Sequence, residues 1–426
     1  MSLQAAPARG CGRARHERGR RRTLADVWSG RQNGFGLIRL LLSTAVIVAH
    51  ARVLGFGGHG PFYYTWQKQT EIGGFAVLGF FAVSGMLITR SANRITTRQF
   101  AWHRFLRIMP GLWLCLVVTA FVVGPAVALH DGMPMRTYFS HSEGPWQYLQ
   151  ANWSLAVRQH GLSGLLAHNR LAGTFNGALW SLPLELLCYM VVAALAALGI
   201  LQRSRLLLLL MLLAAWLYLA NMALRAGTLR MDLYSPTGVA WNLPYLGYIS
   251  MDQLLPLMFT FGLGAAVEVY RDRLPMNKTL GVVSALVLAL ALTAGGLTTY
   301  GLPAFVYFMV WAGIYTPRPL TRIGSRADFS YGLYVYGFVA EQTLIAFGTT
   351  RWGLPLFTLA SLGLALAAAM FSWHLVEKPA MRLKNLRHLP FRRGSKPGNH
   401  TPPQHRHGHI GSPADEALPS TSAGAS

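Results

Sequence analysis

Apolar residues run along the chain in ten blocks separated by polar and basic connections, and each block has a length that fits a helix crossing a bilayer of about 20 residues per span. The blocks lie near 35 to 52, 72 to 90, 105 to 129, 177 to 201, 205 to 222, 252 to 270, 279 to 297, 300 to 316, 329 to 348 and 353 to 376. This pattern predicts an all-α fold, a polytopic membrane helical bundle of about ten transmembrane helices. An even number of spans puts both termini on one side. Lys and Arg test the count, because they concentrate in cytoplasmic connections. They do so after every second span, at Arg90, Arg94, Arg98, Arg104 and Arg107, at Arg203 and Arg205, at Arg271, Arg273 and Lys278, at Arg318, Arg322 and Arg326, and at Lys378, Arg382, Lys384 and Arg387. The expected topology is N-in and C-in.

Outside the blocks, residues 1 to 33 carry Arg9, Arg13, Arg15, Arg18 and Arg20 to Arg22 without apolar periodicity and read as a disordered basic cytoplasmic arm. No secretory signal pattern fits them. Residues 34 to 384 form the membrane domain, and 385 to 426 read as a disordered cytoplasmic tail rich in Pro, Ser and Gly. Between the third and fourth spans, 130 to 176 is a long extracytoplasmic loop rich in Trp, Tyr, Ser and Gly; it suits either a surface facing a polar substrate or an interfacial aromatic belt. No internal repeat is visible, which weakens a transporter reading.

Composition sharpens the class. Of 426 residues, 52% are hydrophobic and only 12% charged, too few charges to cover a soluble fold of this size. The 38 Lys plus Arg against 15 Asp plus Glu give +23, a balance that alone would point to nucleic acid. Its location in arms and alternate loops makes nucleic acid the wrong partner and the lipid bilayer the right one. Cys11, Cys115 and Cys188 make no disulfide framework, and no zinc pattern occurs. The HxHxH run at His405, His407 and His409 lies in the polar tail and is not assigned a metal.

Ionisable residues at membrane depth are costly and mark function. Arg39 and His50 share the first span, eleven residues apart. At 100 degrees per residue they project from one helix face, roughly 16 Å apart along it. A snorkelling Arg with an interfacial His would also fit. Glu185, in the string Leu179 to Glu185, needs a partner inside the bundle, and Arg39 or a protonated His50 would serve. Arg104 and Arg107 share a cytoplasmic helix face and suit phosphate oxygens as well as they suit a topology signal. In the ninth span Tyr331 and Tyr334 share a face that ends at Phe338. With Ser84, Trp180, Ser181 and Glu341 they either line a tunnel or tie helices together.

These strings, in order, resemble those of the integral-membrane acyltransferase-3 family, bacterial enzymes that O-acylate surface carbohydrates. The resemblance spans about residues 33 to 385. It rests on Arg39 with His50, Gly79 to Ile88, Arg104 to Pro110, Leu179 to Glu185, Asp328 to Tyr336, and Glu377-Lys378-Pro379. Gly36 stands where relatives often have Asp, and Met86 where Phe is common. The resemblance implies an O-acyltransferase of the bacterial cytoplasmic (inner) membrane, with no permanent cofactor and with acyl-CoA, by family acetyl-CoA, as co-substrate. Arg104 and Arg107 would hold its phosphates, and His50 would act as general base on a carbohydrate hydroxyl or carry the acyl group itself. Arg39 would stabilise developing charge, and Glu185 would orient His50. The competing reading is a transporter or flippase with Arg39, Glu185 and Glu341 as a path. A third, a structural or sensory membrane module, requires none of these side chains for activity.

Overall fold

The structure, a computed structural model, describes residues 22–28, 33–225, 240–243, 247–325 and 327–385. Cys11, Arg326, the HxHxH run and most of both expected arms lie outside these residues.

All ten blocks form helices: α1 (Phe35–His50), α2 (Ile72–Ala92), α3 (Thr97–Val118), α4 (Ser181–Ala197), α5 (Arg205–Arg225), α6 (Met251–Val269), α7 (Lys278–Ala294), α8 (Leu302–Tyr315), α9 (Ser330–Ala346) and α10 (Leu354–Ser372). Strands appear among the described residues only as an antiparallel pair, Ala240–Leu243 with Gly247–Ser250. Seven helices among these residues are long and apolar enough to cross a membrane. Of the other three, α7 and α9 have 17 residues each, and α6 carries Asp252, Gln253 and Glu268. Several helices run on through π turns, including Ala51–Phe56 directly after His50 and Thr119–Val123 in the long third helix. Such turns recur near functional sites.

The basic connections gather at one end of the bundle. The Thr23 and Pro275 backbones form a bridge, Arg90 stacks 3.6 Å from the Trp28 ring centroid, Arg205 pairs with Asp272 at 3.2 Å, and Trp102 donates to the Leu383 carbonyl at 3.4 Å. The expectation of disorder through residue 33 is therefore corrected at residues 22–28. Leu24–Val27 is a helical turn with Leu24 and Trp28 buried, because two apolar side chains four residues apart cover the connection between α6 and α7.

Helix α9 is the axis. Every residue from Ser330 to Gln342 is buried, as expected of a helix apolar enough to be enclosed on all sides. It packs on α1, α3 and α10. Around it, α2 and α6 cross at contact between backbones. A Cβ on Gly85 would collide with the Phe261 carbonyl, and one on Gly264 with the Ala82 carbonyl. A carbonyl cannot rotate aside as a side chain can, so Gly85→Ala is expected to cost about 1–3 kcal/mol from overpacking. Thermal unfolding in detergent measures this, and a wild-type midpoint would show that the helices part without cost. Gly36 has a similar reason. Its Cβ would meet the backbone of Gly324 2.9 Å away, so the Asp common in relatives has no room here.

The 130–176 segment is more than a surface loop. Short helices Met135–Ser140 and Pro145–Asn152 lie along the third helix, with Tyr138 Oη donating to the Ala120 carbonyl at 2.5 Å and Trp113 Nε1 to the Trp153 carbonyl at 2.9 Å. Its end enters the bundle, where Asn169 donates to Gln342 Oε1 at 2.8 Å and Asn176 to the Val335 carbonyl at 2.8 Å.

Candidate active site

At the basic end, three distant strings converge on Asp328, which sits just ahead of α9. Arg39 Nη1 of α1 and Arg107 Nη2 of α3 both reach Asp328 Oδ2, at 2.7 and 2.6 Å. The other carboxylate oxygen accepts from Ser330 Oγ at 2.5 Å and from the Ser330 backbone N–H at 3.2 Å. Burial works against this carboxylate, but the charges of Arg107 and Arg39 and the Ser330 hydrogen bonds outweigh it and hold Asp328 below the usual carboxylate range. Arg107 Nη1 also lies 3.5 Å from Glu377 Oε2, whose partner oxygen accepts from Ser372 at 2.9 Å. The Arg107 guanidinium faces the rings of Tyr331 and Trp373 at 5.6 and 5.9 Å. Asp328 and Glu377 were visible in the sequence only as parts of family strings; their pairing with Arg39 and Arg107 was not anticipated.

The expected phosphate pair therefore divides. Arg107 is engaged by two carboxylates. Arg104, among the described residues, makes no ion pair within 4 Å, and its buried Nε has no hydrogen-bond partner. Lys384, half-buried nearby, is pushed down to about 8 by its burial and by the charges of Arg104 and Arg107. An anion here would relieve a repulsion already built in.

Glu185 lies close to this end. Its Oε1 accepts from Ser84 Oγ at 3.0 Å and from Tyr189 Oη at 2.5 Å. The carboxylate beside His50 is a different one: Glu341 Oε2, completely buried on α9, stands 3.8 Å from His50 Nδ1. The expectation that Glu185 orients His50 is corrected on this geometry, because α9 rather than α4 faces α1 at the height of the imidazole. Phe338 meets the imidazole edge-on, with centroids 5.2 Å apart.

His50 opens on a cavity of about 150 Å³ lined also by Glu71, Trp180, Gln253 and Tyr334. A narrower one of about 40 Å³ is lined by Arg39, Phe80, Ser84, Ser181, Glu185 and Tyr331. Val77 and Tyr334 line both, so the two follow one face of α1, as the spacing of Arg39 and His50 predicts. At the junction Tyr334 Oη is 2.5 Å from Ser181 Oγ and 2.8 Å from the Ala178 carbonyl. Tyr331 Oη instead donates to the Ile108 carbonyl at 2.8 Å. The tyrosines thus tie helices together, and Tyr331 and Tyr334 also line the narrower cavity. Arg39 is too distant, at about 16 Å along the helix, to touch charge developing beside His50, so that expected role is corrected too. Besides Glu71, the polar groups lining the cavity there are Trp180, Gln253 and Tyr334.

These features make a helical membrane bundle with a part-buried imidazole, a cationic end and two neighbouring cavities. The acyltransferase-3 family model, described as an acyltransferase domain, matches residues 32–374, and the chain belongs to that family. It is 28% identical over 355 residues to an "O-acetyl transferase" of Shigella phage Sf6, covering 82% of this chain and 96% of that protein. It is 26% identical over 381 residues to "Nodulation protein 10" of Rhizobium leguminosarum bv. viciae, covering 84% and 95%. No solved structure matches it. The protein is an acyltransferase of the bilayer, transferring groups other than aminoacyl groups.

Proposed function

We propose that the protein moves an acyl group, acetyl in the first instance, from cytoplasmic acyl-CoA to a hydroxyl of an extracytoplasmic carbohydrate, in a bacterial cytoplasmic membrane. The observation that carries this reading is the pair of neighbouring cavities, one lined by Arg39 and the other by His50, with Val77 and Tyr334 as their shared wall. A donor and an acceptor approaching from opposite faces can meet there. The name of the phage relative supports acetyl as the group moved.

Arg104, with no carboxylate within 4 Å among the described residues, and Lys384 hold the donor phosphates, and the pantetheine arm runs along the face of α1 that carries the two cavities. His50 takes the proton from the acceptor hydroxyl. That oxygen bonds to the thioester carbonyl carbon, the C–S bond breaks, and the departing thiolate takes the proton back from imidazolium. Dipoles from Trp180, Gln253 or Tyr334 stabilise the oxyanion formed on the way. The narrow part of the passage must widen for a thioester, and the Tyr334–Ser181 contact is where it opens.

The test is to supply acetyl-CoA labelled in the acetyl group to one face of sealed vesicles and acceptor glycan to the other. Ester appearing on the glycan, with free CoA released on the donor side, supports the reading; glycan crossing the membrane without thioester consumption overturns it in favour of transport. Lys384 adds a pH signature. It is charged below about pH 8 and neutral above, so KM for acyl-CoA should rise several-fold as pH passes through that value, while Lys384→Arg keeps it flat. An identical rise in the variant would remove Lys384 from the donor site.

A further inference from the structure

The mechanism just described leaves Glu341 unused, although its carboxyl group is fully buried beside His50. It is 0% exposed, near the end of the stretch of α9, Ser330 to Gln342, that is fully enclosed. Neither of its oxygens has a side-chain hydrogen-bond partner among the described residues, and neither does His50 Nδ1. A carboxylate in such surroundings costs several kcal/mol unless something compensates it. The groups in place to do so are the backbone of Ala51 and the imidazole, 3.8 Å away.

We propose that Glu341 is the positioning residue of the His50 base: its carboxylate stands 3.8 Å from Nδ1, closes to a hydrogen bond when substrate is bound, and so fixes the tautomer that carries the proton there and leaves Nε2 for the acceptor hydroxyl. The inference rests on the reading of His50 as base. When His50 takes the hydroxyl proton at Nε2, the ring becomes a cation with both nitrogens protonated. Glu341 then faces an imidazolium in a medium of low dielectric, where opposite charges attract strongly. The proton leaves again from Nε2 to the CoA thiolate, and Glu341 ends the cycle as it began.

Neighbouring groups leave this pairing intact. Glu71 and Tyr334 line the far side of the His50 cavity, but Glu71 Oε2 accepts from the Gly60 N–H at 2.5 Å and Tyr334 is held by Ser181 and Ala178. On α3, Cys115 Sγ donates to the Val335 carbonyl at 3.4 Å. Helix α10, packed along α9, has no titratable side chain between Leu354 and Ser372. One turn outward from the pair, Leu54 and Ile345 line a separate cavity of about 480 Å³ with Asp131, His168 and Arg170. Phe338 closes the remaining side of the imidazole.

The experiment compares wild type, Glu341→Gln, Glu341→Asp and His50→Ala in the vesicle assay, with kcat, KM for both substrates and the pH profile of kcat/KM. Glutamine keeps the shape and removes the charge. It should lower kcat roughly 100-fold or more, as loss of an orienting carboxylate does elsewhere, with both KM values within about threefold. Because a carboxylate favours imidazolium, its removal should also move the acid limb of the profile to lower pH. Aspartate should keep that limb in place and recover part of kcat. If Glu341→Gln keeps wild-type kcat and acid limb while His50→Ala is inactive, the positioning role is overturned and the base survives. If the glutamine variant loses activity through raised KM with the acid limb unmoved, Glu341 is only structural and the inference again fails. Full activity in His50→Ala would overturn the base and the positioning role together.

Discussion

His50→Ala is expected to lower acyl transfer by about a thousandfold, within the range that a general base contributes, while the protein still inserts and folds. The side chain removed is half enclosed. It contributes the edge-on contact with Phe338 and the neighbour that Glu341 has at 3.8 Å. Some loss of stability therefore accompanies the loss of activity. His50→Gln separates the two, because it refills the space and returns a polar group toward Glu341 without a basic nitrogen. Both variants should bind acyl-CoA with wild-type affinity, since the cationic end lies about 16 Å away along α1. Ester content of surface glycans, read by mass spectrometry against a strain lacking the protein, checks the activity. A His50→Gln protein that is made at normal levels and acylates fully would remove His50 from the chemistry. An acylated His50 peptide recovered from wild type after rapid quenching would instead make the imidazole a nucleophile, with the acyl group passing through it.

How much of this was legible beforehand depended on whether the relevant geometry lay within one helix or between several. The shared face of Arg39 and His50 follows from eleven residues of regular helix, and the two side chains line neighbouring cavities. The ten apolar blocks were equally local, each long enough to identify by itself. Which carboxylate reaches His50 was not local. Glu185 and Glu341 each interrupt an apolar helix, and nothing in either stretch says that α9 is the axis of the bundle while α4 begins beside Tyr334. The partners of Arg39 and Arg107 lie 289, 221 and 270 residues away in the chain, so only the fold could bring them together. The turn at Leu24–Val27 had a faint local signal after all. Thr23 and Asp26 form a capping box, and Leu24 and Trp28 have helical spacing, but both were hidden by the surrounding arginines.

Asp328→Ala should be the most destabilising single change at the cationic end, by about 1–3 kcal/mol, less than the loss of one partner from a fully buried ion pair because Asp328 and Arg39 are part-exposed. The aspartate does three things at once. It neutralises Arg39 and Arg107, accepts two hydrogen bonds from Ser330 at the start of α9, and so ties α1 and α3 to the axial helix. Arg107 would retain Glu377, at 3.5 Å, whereas the guanidinium of Arg39 has no other carboxylate within 4 Å among the described residues. Asp328→Asn keeps the shape and the Ser330 contacts but not the charge, so its deficit measures the electrostatic part alone. The pH dependence has a definite sign. A carboxylate whose folded pKa lies below its unfolded value near 3.9 stabilises fully above that value, and less as pH falls through the folded one. The difference between wild type and Asp328→Asn, measured by unfolding in detergent, should thus be constant from about pH 5 to 8 and shrink below about pH 4. A difference that is small throughout would mean that the arginines find water or lipid phosphate instead. Arg39 and Arg107 would then be free to bind the donor directly, and the division of labour between Arg104 and Arg107 would have to be redrawn.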